Sequence, residues 1–436
     1  MSNEILGLVA LAALFAVIFV GFPIAFTLGA VALGTGFYAL GAVVFDLAVL
    51  QTFSVMKDTV LASIPFFLFM GFLLEQSGLM ERMFTGIQQL LAGVRGSLYL
   101  AVLITATIFA AATGIVGSSV TLLGVMAGPA MIKSGYDPKM SAGAITAGGT
   151  LGILIPPSVM LIVMGPVVGV PATDLFAAAV IPGLLLSTIF TVWCLVRCWL
   201  NPALGPALPP EYRASSMAAV LRDLLIGVAP VILVILSTLG VILAGIATPT
   251  DAGAVGAAAV FVLTVGSGRM SWARLRQSAY QTLEVSSMIL LLVAASNLFG
   301  AVFSRLGSAE FLAGALTSLS LPPMLMLVVV LALIFVLGWP LEWVPIVLIV
   351  VPIVLPIVQA ANIDLIWFCT LVAMTLQTAW LSPPVALSAY FLKGVVPQWE
   401  LKQIYAGMVQ FMVLQLVGVG LLLLFPKLAT WLVTAT

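Results

Sequence analysis

The chain has 436 residues, 63% of them hydrophobic, with 15 Lys and Arg balanced by 15 Asp and Glu. Charged residues make up 7%, against about 25% in a soluble protein, which is too little to cover a water-facing surface. With a mean hydropathy of +1.29 the chain reads as an all-α polytopic membrane protein; a cytosolic enzyme, a secreted disulfide scaffold, a disordered chain and a nucleic-acid binder are excluded.

From the N-terminus, Met1 to Glu4 has no basic n-region, and no cleavage site follows the first apolar run. That run is therefore predicted to be a retained helix rather than a signal peptide. A helix needs about 20 apolar residues to cross a ~30 Å hydrocarbon core. Runs of that order lie near 5–20, 24–41, 59–77, 141–168, 175–199, 224–246, 251–266, 284–304, 365–391 and 403–425. The segment 42–58 is predicted to lie along the interface. Two stretches, near 98–133 and 323–359, are too long for one crossing and are interrupted midway by helix-breaking residues. Each reads as a re-entrant hairpin.

Charge placement agrees with that topology. With the N-terminus outside and both hairpins returning to the face they entered from, 12 cations fall on inner loops. These are Arg82, Arg95, Lys133, Lys139, Arg197, Arg213, Arg222, Arg269, Arg274, Arg276, Lys393 and Lys402. Only Lys57, Arg305 and Lys427 remain outside, a bias that sets orientation. The stretch 269–276, with Trp272, reads as a basic interfacial anchor. Asp46, Asp58, Glu75 and Asp174 fall near predicted helix ends and read as solvated. Cys194 and Cys198, four apart in one apolar run, read as buried thiols, and there is no histidine. Metal-ligand and thiol chemistry are set aside, and with no carboxylate pair at depth an enzyme has nothing to work with.

A shift of 227 positions lays Pro129 on Pro356, Asp137 on Asp364, and Pro156-Pro157 on Pro383-Pro384; a shift of 226 lays Pro23 on Pro249. The chain thus divides into residues 1–200 and 223–436, joined by the proline-rich loop 201–222. Each half would hold five crossings and one hairpin, and an odd number inverts the second half. Inverted repeats with broken helices are a transporter pattern, because one site can then face either side of the membrane.

The first hairpin tip reads Thr113-Gly114-Ile115-Val116-Gly117-Ser118-Ser119. Downstream, Gly148-Gly149-Thr150-Leu151-Gly152-Ile153-Leu154-Ile155-Pro156-Pro157-Ser158 interrupts a crossing, since proline removes a donor and clashes with the preceding turn. In the second half the tip is Gly338-Trp339-Pro340-Leu341-Glu342-Trp343-Val344-Pro345, and the break runs from Thr375 to Pro384. Unpaired carbonyls at membrane depth are tolerated where they line a cavity or bind something. Loose carbonyls and hydroxyls suit a dehydrated Na⁺, and the positive ends of half-helices suit an anion. One ion site is expected around Gly114, Ser118, Ser119, Gly149, Thr150 and Pro156, the other around Gly338, Glu342, Thr375, Thr378, Ser382 and Pro383. Thr113, Ser119, Thr121, Ser158 and Ser388 are the expected substrate contacts. Glu342 is the one acid well inside an apolar stretch and so a functional candidate; the plainer alternative is a helix cap. Its counterpart is Ile115.

The stretches GFPIAFTLG (21–29), SIPFFLFMG (63–71), GGTLGILIPPS (148–158), ATPTDAGAVG (247–256) and SPPVA (382–386) resemble the large membrane subunit of tripartite ATP-independent periplasmic (TRAP) transporters. The second tip and break depart from the family pattern, with Glu342 where Asp is common and Thr375 near a usual Asn, so the substrate is not carried across. The resemblance implies Na⁺-coupled import of organic acids by an elevator of scaffold and moving transport domain. It also implies a small four-helix membrane subunit, a periplasmic binding protein and a bacterial inner membrane with both termini periplasmic. A proton-coupled carrier of the same fold and a passive channel are the alternatives. No cofactor is expected beyond the coupling ion, and no nucleotide motif is present, in keeping with gradient energy.

Overall fold

The computed structural model describes residues 2–208, 216–318, 321–383 and 386–435, with the side chains of 217, 219, 223, 313, 316 and 317 left aside. Pro209, Pro210 and Arg213 of the junction loop, and Pro384 of the second break, lie outside the described residues.

Every described regular element is helical. The first half contains α1 (Asn3–Val20), α2 (Ile24–Leu40), α3 (Val43–Lys57), α4 (Ser63–Gln76), α5 (Leu79–Leu90), α6 (Ser97–Thr113), α7 (Val116–Lys133), α8 (Pro138–Thr150), α9 (Val159–Val168) and α10 (Ala172–Leu200). The second begins with α11 (Met217–Ile235), a π turn over Leu236–Gly240, α12 (Val241–Leu243), α13 (Pro249–Gly266), α14 (Trp272–Arg305) and α15 (Ser308–Thr317). It continues with α16 (Pro323–Gly338), α17 (Trp343–Pro345), a π turn over Ile346–Val350, α18 (Val351–Ala360), α19 (Leu365–Leu376), α20 (Leu387–Val395), α21 (Leu401–Leu424) and α22 (Lys427–Ala435).

Eight described helices are long and apolar enough to cross a membrane, or up to nine if the bent pair α4–α5 is one span. Several expected crossings are therefore assembled from shorter pieces. The run at 59–77 ends at Ser77-Gly78, where the chain turns by 58° and continues as the amphipathic α5, an element the apolar pattern did not announce. The stretch predicted at 141–168 is α8, a 3-10 turn over Leu151–Ile153 and α9; that at 365–391 is α19, a 3-10 turn over Gln377–Trp380 and α20.

The helices sort by what they touch. α4 packs against α13 and α14, α14 against α2 and α3, and α5 against α11. The hairpin arm α7 packs against α8 and α20, α8 against α21, and α10 against α19, α21 and α22. Large apolar side chains such as Phe26, Tyr38 and Leu424 remain exposed on the outside, a surface suited to lipid rather than water. Cys194, Cys198 and Cys369 are free and buried.

Local chemistry sets where the helices before the two breaks begin. Asp137 accepts from the Met140 N–H at 2.8 Å and Asp364 from the Trp367 N–H at 2.7 Å, each capping the helix that leads into a break. Asp137→Ala and Asp364→Ala are each expected to cost about 1 kcal/mol. The check is thermal melting of the purified permease, in which both variants should melt a few degrees lower and an unchanged midpoint would mean that the caps carry no stability.

Candidate functional site

The first hairpin turns at Gly114, which ends α6 with φ +63°, a left-handed conformation that side chains resist. A Cβ built at Gly114 would lie 2.7 Å from the Pro157 carbonyl oxygen, and one at Gly152 would lie 3.5 Å from the Gly114 backbone. At Gly149 it would lie 3.0 Å from the Val120 backbone nitrogen. The tip and the break therefore meet backbone to backbone, and glycine is what permits it. The Ser158 hydroxyl closes the break by donating to the Ile153 carbonyl.

In the second hairpin α16 ends at Gly338, where an added Cβ would meet the Cβ of Ala379 at 3.4 Å. Again the tip lies on the break. Glu342 occupies the N-cap position of α17 but makes no capping hydrogen bond, so the cap alternative does not hold. Ile115 occupies the equivalent position before α7. Ser388 donates to the Trp380 carbonyl, the residue 227 positions beyond Ile153. The two breaks also touch directly: the Gln377 amide donates to Thr150 Oγ1 at 3.0 Å, and these residues are themselves 227 apart.

All four features converge on one cavity of about 180 Å³. Gly114, Ile115 and Gly117 of the first tip line it, with Ile153 and Ser158 of the first break and Met160 beyond it. Glu342 and Trp343 of the second tip and Trp380 of the second break close the opposite side. Leu68 of α4 and Val285, Met288 and Ile289 of α14 form the remaining wall. Glu342 is the one carboxylate lining it, and it has no ion-pair partner among the described residues.

The expected hydroxyls are mostly committed to nearby carbonyls. Thr113 donates to Phe109, Ser119 to Ile115, Thr121 to Gly117, Thr150 to Ala147, Thr378 to Thr375 and Ser382 to Thr378. Each hydroxyl oxygen keeps lone pairs, and that of Thr150 already accepts from Gln377. At the second break Thr375 Oγ1, Gln377 Oε1 and Trp380 Nε1 are buried without a partner among the described residues. Gly149 and Pro156 are buried at the first break and Pro383 is half-buried at the second. Thr113 and Ser388 are buried off the cavity wall, while Ser118 and Thr121 face a second, larger space.

That space is a vestibule of about 790 Å³ beside the first tip, on the side that carries Arg269 and Arg274. It shares Ile115, Gly117 and Val285 with the central cavity. Three residues, Glu75 and Val285 of this wall and Gln377 of the second break, escape a reading of the chain. Glu75 is not a solvated helix-end charge: it is half-buried in the vestibule wall and accepts a hydrogen bond from Ser118 at the hairpin tip. Gln377 was legible only by pairing each break residue with its partner at the repeat register. Val285 had no signal, because α14 shows no amphipathic pattern that would mark it. Arg269 pairs with Glu81 at 3.9 Å, tying the basic stretch to α5.

Known proteins resemble this chain in sequence and in fold. The large C4-dicarboxylate TRAP permease protein DctM of Rhodobacter capsulatus is 29% identical over 88% of this chain and 88% of its own. The sialic acid TRAP large permease protein SiaM of Vibrio cholerae is 26% identical over 94% of each. Among solved structures, the YdaH transporter of Alcanivorax borkumensis superposes with a TM-score of 0.63 at 16% identity, covering 89% of both chains, which is a likeness of fold. The family model for the DctM component of tripartite ATP-independent periplasmic transporters matches residues 11–428. The chain therefore belongs to the DctM family and is the large membrane permease component of a TRAP transporter, not an enzyme.

Proposed function

We propose that this permease imports small organic acids with Na⁺ as the coupling ion, by an elevator-type cycle. The observation that carries the reading is the single cavity on which both tips and both breaks converge. Broken helices leave N–H and C=O groups without helical partners, and these can hold an anion and a cation side by side. The unpartnered buried oxygens of Thr375 and Gln377 suit a cation. The named relatives handle C4-dicarboxylates and sialic acid, and at 29% and 26% identity neither sets the substrate here.

In this reading residues 1–200 and 223–436 are inverted repeats. Thr150 and Gln377, equivalent by the repeat register, touch each other, which is what residues on the axis relating two halves must do. The hairpins with α8–α10 and α19–α22 form the moving body, and α1–α5, α11, α13 and α14 the scaffold. A small membrane subunit and a periplasmic binding protein complete the tripartite assembly, in a bacterial inner membrane with both termini periplasmic. Lipid covers the exposed apolar faces.

Proteoliposomes with the small subunit, a loaded binding protein and radiolabelled C4-dicarboxylate or sialic acid provide the test. Removing the inward Na⁺ gradient, or Glu342→Gln, is expected to cut uptake at least about tenfold, equivalent to about 1.4 kcal/mol. The unpaired carboxylate of Glu342 in the cavity favours proton coupling as the second reading. Uptake driven equally by a proton gradient without Na⁺ would establish that reading instead. Uptake indifferent to every gradient and to the binding protein would sink both.

A further inference from the structure

We infer that Glu75 is a positioning residue: it latches the first hairpin tip, through Ser118, to helix α4 and so holds the permease with its vestibule open. The inference rests on the elevator reading, in which the tip moves and α4 stays.

One face of α4 forms the bearing surface. Leu68 lines the central cavity. Gly71 lies so close to the tip that an added Cβ would sit 2.9 Å from the Thr113 carbonyl oxygen and 3.0 Å from the Ile115 side chain. Glu75, one turn on, accepts from the Ser118 hydroxyl. Positions i, i+3 or i+4 share a helix face, so 68, 71 and 75 meet the tip in a row. α4 itself packs on α13 and α14. The tip is thus held on a helix belonging to the other group, and Glu75–Ser118 is the polar bond across that sliding surface. Any movement of the tip along α4 must break it. Breaking it leaves a half-buried acceptor without its donor, so its loss should shift the balance of states.

The bond has to be read by exposure rather than by transport. Val125 lines the vestibule and is half exposed, while the native cysteines are buried. Val125→Cys permease in vesicles, probed with a membrane-impermeant maleimide from the vestibule side, reports how often the vestibule is open. Glu75→Ala and Ser118→Ala are each expected to slow labelling at least about fivefold, and the double variant no further. Glu75→Gln keeps an accepting oxygen and should restore most of the rate. Gly71→Ala, which crowds the same surface, should slow labelling while leaving the bond's two residues in place. Equal labelling of Glu75→Ala and the parent overturns the latch, as does a Glu75→Gln rate as slow as Glu75→Ala. Parent labelling that stays constant with and without Na⁺ and organic acid overturns the elevator reading and the latch together. A parent that responds, with Glu75→Ala and Ser118→Ala labelling at the parent's rate, overturns the latch alone.

Discussion

Gly114→Ala is expected to lower uptake at least about tenfold, because two independent costs fall on one methyl group. The backbone at 114 is left-handed, φ +63°, which costs a residue with a Cβ roughly 1–2 kcal/mol. The added carbon would also stand 2.7 Å from the Pro157 carbonyl oxygen, a backbone atom that cannot swing aside as a side chain would. The tip must then either leave the break or change its turn. Both outcomes separate the residues lining the central cavity, and each 1.4 kcal/mol lost from the transport step is about a factor of ten in rate. Gly29→Ala is the control, since nothing lies within 4 Å of a Cβ there. Uptake by equal amounts of reconstituted protein decides it: full activity in Gly114→Ala would mean that tip and break need not touch.

Gly407→Ala is expected to cost stability of roughly 3 kcal/mol, at the upper end of overpacking effects. α8 and α21 cross with their backbones in contact. A Cβ at Gly407 would fall 1.9 Å from the Lys139 carbonyl oxygen, and one at Gly143 would meet Phe411 at 2.5 Å and the Gly407 carbonyl at 2.8 Å. Small residues at a membrane helix crossing supply the close packing that stands in for the hydrophobic effect, which is weak between helices already in lipid. Parting the two helices loosens α8 along its length, and α8 runs into the first break. Lower yield and a fall of several degrees in melting temperature are the readouts. Gly420→Ala, on the same helix but with nothing within 4 Å of its Cβ, should melt like the parent. Matching midpoints for the two variants would contradict the backbone contact.

Much of the candidate site was legible in the chain. Gly114, the Gly148–Gly152 segment and Pro156-Pro157 mark breaks because glycine and proline act locally, through φ and the missing N–H. Asp137 and Asp364 were matched as one position of the two halves, and each caps the helix that follows by accepting a backbone N–H, an equally local effect. Glu342 stands out because a lone acid in an apolar run is costly whatever surrounds it. Each of these signals concerns a residue and its nearest neighbours along the chain.

Residues that depend on the partner across space were not legible. Glu75 looked like a helix-end charge, and only the arrival of Ser118, 43 positions later, gives it a role. The pairing of Thr150 with Gln377 needs both breaks to lie back to back. Val285, Met288 and Ile289 line the central cavity from a helix with too little amphipathic contrast to single them out. In a soluble protein the polar face of a helix reveals its buried one. In a membrane that contrast is erased, because lipid is as apolar as the protein interior. The sequence by itself therefore determined the class, the family and the breaks in the helices. Which tip meets which break, which helix faces are left exposed and which acid bonds to the first tip were decided by tertiary packing alone, since side-chain polarity distinguishes the alternatives only where water is present.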